Sequence, residues 1–382
     1  MVIVISLLTL FYCILTVWLW YHWQKITVFD PADSENRSEK VSVIIPIRNE
    51  AKTILSLLED IDHQSSTDGS HFSPQQLEVI VVDDQSEDDS VALVESYKSE
   101  NFQLHLLALE LPEKFVGSHK KLAISQAIAS AQGDIIMTTD GDCHLGPQWI
   151  TTILHFLRAQ NAVMVSAPVT FEQGKTRFEQ LQLIEFASLI GAGAACMQAG
   201  IPNMCNGANL TFTKKAFLEV KGYEGSMHIP SGDDEFLMQK LHQRYPGQIY
   251  FLKNKEAVVH TAAQKSIKHF YHQRKRWAGK WKLHKSITTA LLALGIFTFH
   301  ALFIAACILT LTGAFPWKIL LFLVTIKGIA EFVFLENVLN AMDKKLSILN
   351  FLVLQLIYSP YAVFFGIVAN FGGYQWKERK YM

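Results

Sequence analysis

Two aspartates one residue apart, Asp140 and Asp142, follow an apolar run in the stretch GDIIMTTDGDC at positions 133–143. Like charges at the tip of a buried strand repel each other, so they need a positive partner. Carboxylate oxygens combined with substrate phosphates are the ligands that Mg²⁺ and Mn²⁺ favour. The spacing therefore predicts that Asp140 and Asp142 share such a cation with a phosphorylated ligand. A solvated turn is the alternative, because DGD alone is a weak signal.

Polar groups also end two other apolar runs, which favours a ligand crevice. The run VIVVDDQSEDDS at 79–90 carries Asp83 and Asp84 at its end, and VSVIIPI is followed by RNE at 48–50. In open α/β sheets, ligands bind outside the carboxyl ends of the strands. Three polar strand tips therefore indicate a binding site rather than a purely structural sheet.

A further acidic group, Asp233, Asp234 and Glu235, stands in SGDDEFLMQKL, where a helix is predicted to begin. Negative charges at this position complement the helix dipole. A carboxylate there could also act as the general base that deprotonates an attacking hydroxyl. Both interpretations stay open at this point.

Alternating strand and helix patterns surround these groups from residue 41 to about residue 260. VSVIIPI and LEVIVVD are β-branched runs of the length typical of buried parallel strands. Between them, EAKTILSLLEDI has apolar residues at helical spacing, and KKLAISQAIASAQ leads in the same way into DIIMTTD. Repeated strand–helix–strand units predict an α/β fold with a parallel sheet and helices on both faces.

Three segments, residues 1–24, 286–317 and 346–376, contain no Asp, Glu, Lys or Arg. Each exceeds the roughly 20 residues that a membrane-spanning helix needs. The first lacks the basic start and the cleavage site of a signal peptide, so we predict an uncleaved anchor. A basic, aromatic stretch at 264–285 precedes the second segment. Under the positive-inside rule it places the α/β domain in the cytosol.

Two further apolar regions allow more than one interpretation. Residues 318–337 contain Lys327, Glu331 and Glu336, so this segment either spans a membrane with functional polar groups or only re-enters it. The number of C-terminal spans, two or three, and the side of the tail therefore stay open. The Gly- and Ala-rich stretch at about 176–200 has a helical pattern. It predicts either a close-packed core helix or a helix against membrane or acceptor.

Composition excludes some classes of function. The 382 residues carry a formal net charge of −1, which argues against nucleic acid as a partner. The five cysteines are odd in number and have no framework spacing, which favours a reduced, cytosolic-side domain over a disulfide-bonded one.

Six segments in order resemble the motifs of family 2 glycosyltransferases of the GT-A fold. They are VSVIIPIRNE, VIVVDDQSEDDS, HKKLAISQAIASAQGDIIMTTDGDC, CNGANLTFTKKAFLEVKGY, SGDDEFL and QRKRW. The resemblance runs from about residue 41 to 277. It is strongest to membrane-embedded members, namely ceramide or carotenoid glucosyltransferase-like and hyaluronan or cellulose synthase-like enzymes. It implies a GT-A catalytic domain with a Rossmann-like, mostly parallel sheet and transmembrane helices at both ends.

The resemblance also implies a division into five segments and a location. The segments are a transmembrane anchor at 1–24, a cytosolic glycosyltransferase domain at 41–262, an amphipathic basic interface segment at 263–286, a transmembrane region at 287–370 and a basic tail at 371–382. Such a protein is a multi-pass integral membrane protein with a cytosolic catalytic domain, here expected in a bacterial inner membrane.

For the donor, the resemblance implies a nucleotide-sugar pocket in which Asp84 recognises the uracil ring of a UDP-sugar. The other expected pocket residues are Pro46, Arg48, Asn49, Glu50 and one of Lys120 and Lys121, the lysine lying near the base or the phosphates. Asp140 and Asp142 match the DxD motif. Asp142 is the expected ligand of Mg²⁺ or Mn²⁺, and Asp140 is expected to contribute to both donor and metal binding.

For the acceptor, Asp234 matches the catalytic base of the family's ED motif. Asp233 stands where the family has Glu, so Asp233 and Asp234 are both candidates for the base. QRKRW matches the Q(Q/R)xRW motif, and the residues expected near acceptor and diphosphate are Gln273, Arg274, Arg276 and Trp277. In that motif the tryptophan borders the acceptor and the last arginine lies near the diphosphate. A purely membrane-anchoring basic helix would not need the glutamine.

The implied reaction is a single displacement that inverts the anomeric carbon. A base deprotonates the acceptor hydroxyl, while metal and nearby cations stabilise the leaving diphosphate. The modest number of spans favours a lipid or lipid-linked acceptor over a processive polysaccharide synthase that extrudes its glycan. A non-catalytic nucleotide-sugar-binding membrane protein is a remote alternative, because both Asp142 and Asp234 are present. No motif identifies the sugar, the acceptor or the oligomeric state.

Overall fold

Two compact units make up the chain. The computed structural model describes residues 2–29, 39–66, 69–113, 115–279, 287–377 and 379–381. The sheet unit comprises Trp23–Glu172 and Leu189–Ala262. The helical unit comprises Met1–His22, Gln173–Ser188 and Ala263–Met382.

Helices and strands alternate through the sheet unit, and long helices dominate the helical unit. The helices are α1 Val2–Lys25, α2 Ile54–Asp62, α3 Ser90–Ser96, α4 His119–Ser130, α5 Trp149–Ala159, α6 Arg177–Gln198, α7 Lys214–Glu219, α8 Asp233–Arg244, α9 Ile267–Ala278, α10 Ile287–Leu311, α11 Trp317–Ala341 and α12 Ile348–Val368. The strands are β1 Val41–Ile47, β2 Leu77–Asp83, β3 Gln103–Ala108, β4 Ile135–Thr138, β5 Cys143–Leu145, β6 Met164–Ser166, β7 Val169–Phe171, β8 Leu210–Thr213, β9 Ile249–Phe251, β10 Val259–Thr261, β11 Tyr374–Trp376 and β12 Arg379–Tyr381.

The main sheet has the strand order β3-β2-β1-β4-β8-β6-β9. Strands β3, β2, β1 and β4 are parallel, β8 is antiparallel to both of its neighbours, and β6 and β9 are parallel. A second sheet has the order β5-β10-β7. The predicted α/β fold with a mostly parallel sheet is confirmed, and the short antiparallel β8 is the departure from it.

Burial follows the patterns from which the elements were predicted. Strands β1 and β2 are buried along nearly their whole length, as expected for strands covered on both faces. The apolar face of α2 is buried through Ile54, Leu57, Leu58 and Ile61. Helix α4 begins at a serine cap, because the Ser118 side chain accepts a hydrogen bond from the Lys121 N–H. This cap sets the direction in which the first turn of α4 presents its side chains.

Among the described residues, four helices are long and apolar enough to cross a membrane. They are α1, α6, residues Leu291–Leu311 of α10, and α12. The apolar helices predicted at both ends of the chain are therefore present. The apolar window of α6 is 67% buried, against 17–22% for the other three, so α6 packs as a core helix.

Helix α11 is continuous through Lys327 and Glu331, the charged positions that left open whether this segment spans a membrane or only re-enters it. Lys327 and Glu331 form an ion pair of 2.8 Å on one face of the helix. Gln355 and the Tyr12 hydroxyl each donate to the Glu331 carboxylate at 2.6 Å. A buried charge that is paired and hydrogen-bonded costs far less than an isolated one. The network thus lets an apolar helix carry two charges inside the helical unit.

Candidate functional site

The carboxyl ends of β1, β2 and β4 lie side by side in the sheet unit. Ile47, the last residue of β1, pairs with Asp83, the last residue of β2. Ile44 pairs with Thr138 at the end of β4, and its carbonyl accepts from the Thr139 N–H at 3.3 Å. The three polar segments that follow these strands therefore begin at the same edge of the sheet, as the sequence predicts.

The turn between the two aspartates passes directly beneath the end of β1. A Cβ atom placed on Gly141 would lie 3.0 Å from the Glu50 Cγ atom and 3.0 Å from the Ile47 Cγ2 atom. Contacts this short are tighter than most side chains make, so a larger residue at this position would force its neighbours to shift. This approach holds Asp140 and Asp142 against the residues that follow β1.

Arg48 and Asn49 join two neighbouring loops. The Arg48 guanidinium donates to the carbonyls of Asp84 at 2.7 Å and Gln85 at 2.5 Å, and it lies 3.1 Å from the Glu87 carboxylate. Asn49 has a φ of 55°, and its side-chain oxygen accepts from the Glu87 N–H at 2.8 Å. The side chains expected to line a nucleotide pocket thus fix the loop that carries Asp84. Pro46 lies within β1, where it pairs with Val82.

Asp84 contacts His119, a residue to which the sequence patterns assign no role. The His119 Nδ1 atom lies 2.7 Å from the Asp84 Oδ1 atom. The two side chains are only 14% and 8% exposed, and the Phe115 ring stands edge-on to the imidazole at 5.7 Å. A carboxylate this close places the hydrogen on Nδ1. The pair forms a buried polar surface beside the strand tips.

Lys120 joins the acidic turn to the start of α8. Its ammonium lies 2.6 Å from the Asp140 carboxylate and 3.3 Å from the Asp233 carboxylate. Burial alone would lower the pKa of Lys120, but Asp140 and Asp233 outweigh that effect and raise it. The lysine therefore stays charged at neutral pH and brings the two predicted groups of carboxylates together.

Lys121 points to a different part of the sheet unit. Its fully buried ammonium donates to the carbonyls of Ser226 at 2.8 Å and Ile229 at 3.1 Å, and it lies 4.7 Å from the centre of the Phe236 ring. Of the two lysines left open by the sequence, Lys120 contacts the acidic cluster. Lys121 instead anchors the loop at 224–232, which leads into α8.

Asp233 and Asp234 differ in their surroundings. Asp234 is buried, and its carboxylate accepts from the N–H groups of Gly207 at 3.1 Å and Glu235 at 2.8 Å. Asp233 faces Lys120, and a Cβ atom on Gly207 would lie 2.7 Å from its Oδ2 atom. Burial and these two carboxylates raise the pKa of Tyr223. Asp233 is thus linked to the acidic turn, and Asp234 is fixed by backbone amides at the helix N-terminus.

The acidic turn fits a divalent cation whose remaining ligands come from a diphosphate. The described residues contain no cluster of three or more His, Cys, Asp or Glu side chains able to hold a metal. Asp140 is 38% exposed and Asp142 is partly buried. Two accessible carboxylates suit Mg²⁺ or Mn²⁺ when a diphosphate supplies further oxygens. Burial raises the pKa of the neighbouring Cys143 thiol, and Asp142 and Asp140 raise it further, so a thiolate ligand is disfavoured.

The QRKRW residues lie on α9, in the helical unit. Arg274 is buried and pairs with Glu185 at 2.6 Å, and its Nη1 atom donates to the Gln273 side chain at 2.5 Å. The Trp277 ring stacks on Phe186 and lies 4.3 Å from the Arg274 guanidinium. Arg274 therefore serves packing within this unit instead of offering a free charge to a ligand. Arg276 is partly exposed.

Sequence reasoning missed His119, Glu185 and Tyr361. His119 directly precedes the lysine pair at the start of α4. Its contact with Asp84, which follows β2, can be foreseen only once the order of the strands in the sheet is known. Glu185 had a usable signal, since a carboxylate inside an apolar helix needs a partner. Tyr361 completes that cluster by donating its hydroxyl to Glu185 at 2.9 Å.

Comparison with known families gives two overlapping matches. Residues 42–220 match the model of glycosyl transferase family 2, and residues 135–341 match that of glycosyl transferase family group 2. Two curated relatives are the undecaprenyl-phosphate 4-deoxy-4-formamido-L-arabinose transferases of Yersinia pestis (strain Pestoides F) and Klebsiella pneumoniae (strain 342). They are 30% and 33% identical over 117 residues, which is 31% and 30% of this chain and 33% of each relative. The match spans only about a third of the length of these relatives.

A solved structure with a similar fold is a mannosyltransferase from Pyrobaculum calidifontis in complex with GDP-Man and Mn²⁺. The TM-score is 0.55 at 19% identity, with 97% of this chain and 96% of that chain covered. At this identity the similarity concerns the fold alone.

Proposed function

This chain belongs to glycosyltransferase family 2, and we propose that it moves a sugar from a UDP-sugar to a lipid or lipid-linked acceptor with inversion at the anomeric carbon. The observation that carries the proposal is the Lys120 bridge. One ammonium contacts Asp140 at 2.6 Å and Asp233 at 3.3 Å, so donor-side and acceptor-side carboxylates share one site.

The donor occupies the edge of the sheet where β1, β2 and β4 end. Asp84 receives the nucleobase, and the loops joined by Arg48 and Asn49 hold it in place. Asp142 and Asp140 would hold Mg²⁺ or Mn²⁺ together with the diphosphate. A bound divalent cation supplies positive charge against the charge that develops on the leaving diphosphate. Lys120 adds a second positive charge on the same side.

The acceptor hydroxyl meets the carboxylates at the start of α8. Asp234 acts as the general base, and its hydrogen bonds to Gly207 and Glu235 orient the carboxylate before the substrate arrives. Asp233 positions Lys120 and keeps it aligned with Asp140. No covalent intermediate is needed, which is consistent with a single displacement.

A lipid carrier is the proposed acceptor class. The curated relatives are named for transfer to undecaprenyl phosphate, and this chain has apolar helices at both ends. Catalysis would then take place at the cytosolic face of a membrane. The alternative is processive synthesis, which would give a series of products instead of one adduct.

The test measures UDP release by the detergent-purified full chain, with a panel of UDP-sugars, extracted membrane lipid and Mg²⁺ or Mn²⁺. Asp142→Asn and Asp234→Asn should each lower turnover at least about 100-fold. Asp134→Asn is the matched control, because this exposed aspartate lies outside the site and should leave turnover unchanged.

The products separate the alternatives. A single labelled lipid indicates a lipid glycosyltransferase, and a ladder indicates a processive synthase. Nucleotide binding without turnover on any combination would favour a non-catalytic binding protein. Turnover that survives both substitutions would contradict the proposed site.

A further inference from the structure

We infer that Lys268, His272 and Lys275 on α9 bind the phosphate headgroup of an anionic membrane lipid. The three residues follow one another at i, i+4 and i+7, so their side chains lie on one face of the helix. Lys275 occupies the variable position of QRKRW, and the other two residues precede that motif, so the family resemblance assigns none of them a role. This lipid site lies within the helical unit and is additional to the proposed sugar transfer.

Lys275 is a buried charge for which the described part of the chain supplies no ion pair. Its side chain is only 8% exposed, and its ammonium lies 5.7 Å from the centre of the Tyr271 ring. The neighbouring Arg274 is also buried, but it pairs with Glu185 at 2.6 Å. A lysine that only marks the cytosolic side of a membrane would extend into water, whereas a buried ammonium needs an anion, which an aromatic ring replaces only in part. An anion from outside the chain would complete this site.

Repulsion among the cations of this face also indicates an anionic ligand. Burial lowers the pKa of His272, and its cationic neighbours, Lys268 and Lys275 foremost, lower it further. The three side chains are therefore close enough to interact. Like charges spaced in this way destabilise a helix, and a bound anion turns their repulsion into a shared attraction.

The surroundings of these cations favour a lipid over a soluble anion. Beside the cationic face, Tyr271 packs against α12, a candidate membrane span, with its ring 6.2 Å from that of Phe364. Phe364 and Phe371 remain exposed. Gly372, which follows Phe371, lies next to the Lys275 ammonium, since a Cβ atom placed on it would be 3.7 Å from Nζ. Cations bordered by exposed apolar side chains fit an amphipathic ligand, with its phosphate on the former and its acyl chains on the latter.

The chemistry of these cations sets the selectivity of the site. An ammonium binds phosphate as a point charge, and it does not read the shape of its ligand as an arginine fork does. The site should therefore distinguish anionic from zwitterionic headgroups, because the cation attached to a zwitterionic phosphate cancels much of the attraction. It should be indifferent to the alcohol that is esterified to the phosphate.

The experiment titrates short-chain lipids into the detergent-purified full chain in the absence of nucleotide. The probes are dioctanoyl phosphatidylglycerol and dioctanoyl phosphatidic acid, which are anionic, dioctanoyl phosphatidylcholine, which is zwitterionic, and inorganic phosphate. The variants are Lys275→Gln, Lys275→Arg and Lys268→Gln. Lys215→Gln is the matched control, because Lys215 is an exposed lysine of α7 in the sheet unit. Native mass spectrometry counts the bound lipids, and thermal unfolding without lipid shows whether each variant is folded.

Wild type should retain one lipid per chain and bind both anionic lipids at least about tenfold more tightly than phosphatidylcholine. Lys275→Gln should lower the affinity for the anionic lipids about tenfold or more and leave that for phosphatidylcholine unchanged, because a hydrogen bond between charged groups is lost. Lys275→Arg keeps the charge and should keep the preference. Lys268→Gln should have a smaller effect, about two- to fivefold, because Lys268 is exposed. Lys215→Gln should bind like wild type.

Thermal unfolding without lipid gives a second readout for Lys275. The glutamine variant removes a buried charge that has no ion pair within the described ranges, so it should unfold at a temperature equal to or above that of wild type. A lysine with a purely structural role would give the opposite result, because its loss would lower the unfolding temperature, and that outcome would contradict the inference.

Three binding results would also overturn the inference. One is a wild type that binds anionic and zwitterionic lipids equally. Another is a Lys275→Gln variant that keeps the full preference for anionic lipids. The third is inorganic phosphate that binds as tightly as phosphatidylglycerol, which would make the ligand a free anion. No UDP-sugar is present in these titrations, so a chain that binds anionic lipid as expected but turns over no UDP-sugar would contradict the proposed function alone.

Discussion

Replacing Lys120 with methionine should affect metal binding and turnover in opposite directions. The lysine is a resident cation on Asp140 at 2.6 Å, so it competes with a divalent cation for this carboxylate. Removing it should tighten the binding of Mn²⁺ alone. Turnover should fall, because the same ammonium would also stabilise the leaving diphosphate and hold Asp233 at 3.3 Å.

The expected changes in Mn²⁺ affinity and in turnover follow from how exposed the paired side chains are. Asp140 is 38% exposed, so its ion pair is screened and is worth about 1 kcal/mol, which corresponds to about fivefold tighter Mn²⁺ binding. The contact with Asp233 is more buried, at 17% and 13% exposure, and its loss costs about 1.5–3 kcal/mol. Loss of a positive group that faces the leaving diphosphate should lower turnover at least about 100-fold.

Isothermal titration with Mn²⁺ in the absence of nucleotide, together with UDP release, checks both effects. Lys98→Met is the matched control, because Lys98 is exposed and its ammonium donates to the backbone carbonyl of Glu95 at 3.4 Å. Weaker Mn²⁺ binding in Lys120→Met would refute the view that ammonium and metal share Asp140. Unchanged turnover would refute the role of Lys120 at the diphosphate.

Three further single substitutions test packing within the sheet unit and within the helical unit. Gly141→Ala would bring its methyl group to within 3.0 Å of two side chains, so we expect about 1–3 kcal/mol of destabilisation and a larger loss of donor affinity, measured by chemical unfolding and UDP titration. Lys121→Met leaves two buried carbonyls of the loop at 224–232 without their ammonium. Because this loop leads into α8 and its carboxylates, kcat should fall more than the KM for the donor rises. The reverse pattern would place Lys121 at the donor. Glu185→Gln should lower the free energy of unfolding by about 3–5 kcal/mol, because it leaves the buried charge of Arg274 unpaired. Replacing Glu185 and Arg274 together by methionine should cost less than Glu185→Gln alone, and an equal or greater cost would contradict the ion-pair argument.

The sequence predicted those features for which a local pattern of residues is compatible with only one kind of structure. Buried strands must be apolar, and polar residues directly after them lie at one edge of a parallel sheet, so Asp84 and Asp140 could be placed near each other from pattern alone. Apolar segments of 24 residues or more form helices that are buried or face a membrane, and α1 and α10 are such helices. These features depend on neighbours along the chain.

Other features depend on groups that are distant in sequence, and only the tertiary structure decided them. Lys120 and Lys121 are adjacent and chemically identical, but successive residues of a helix point in different directions, so one meets Asp140 and the other meets the loop at 224–232. The His119–Asp84 contact joins positions 35 residues apart. Arg274 lies in a motif that favours a ligand, yet it pairs with Glu185, because a charge that folding buries must find its partner within the protein. Sequence thus determined which residues could do chemistry, and packing decided which of them remain available for it.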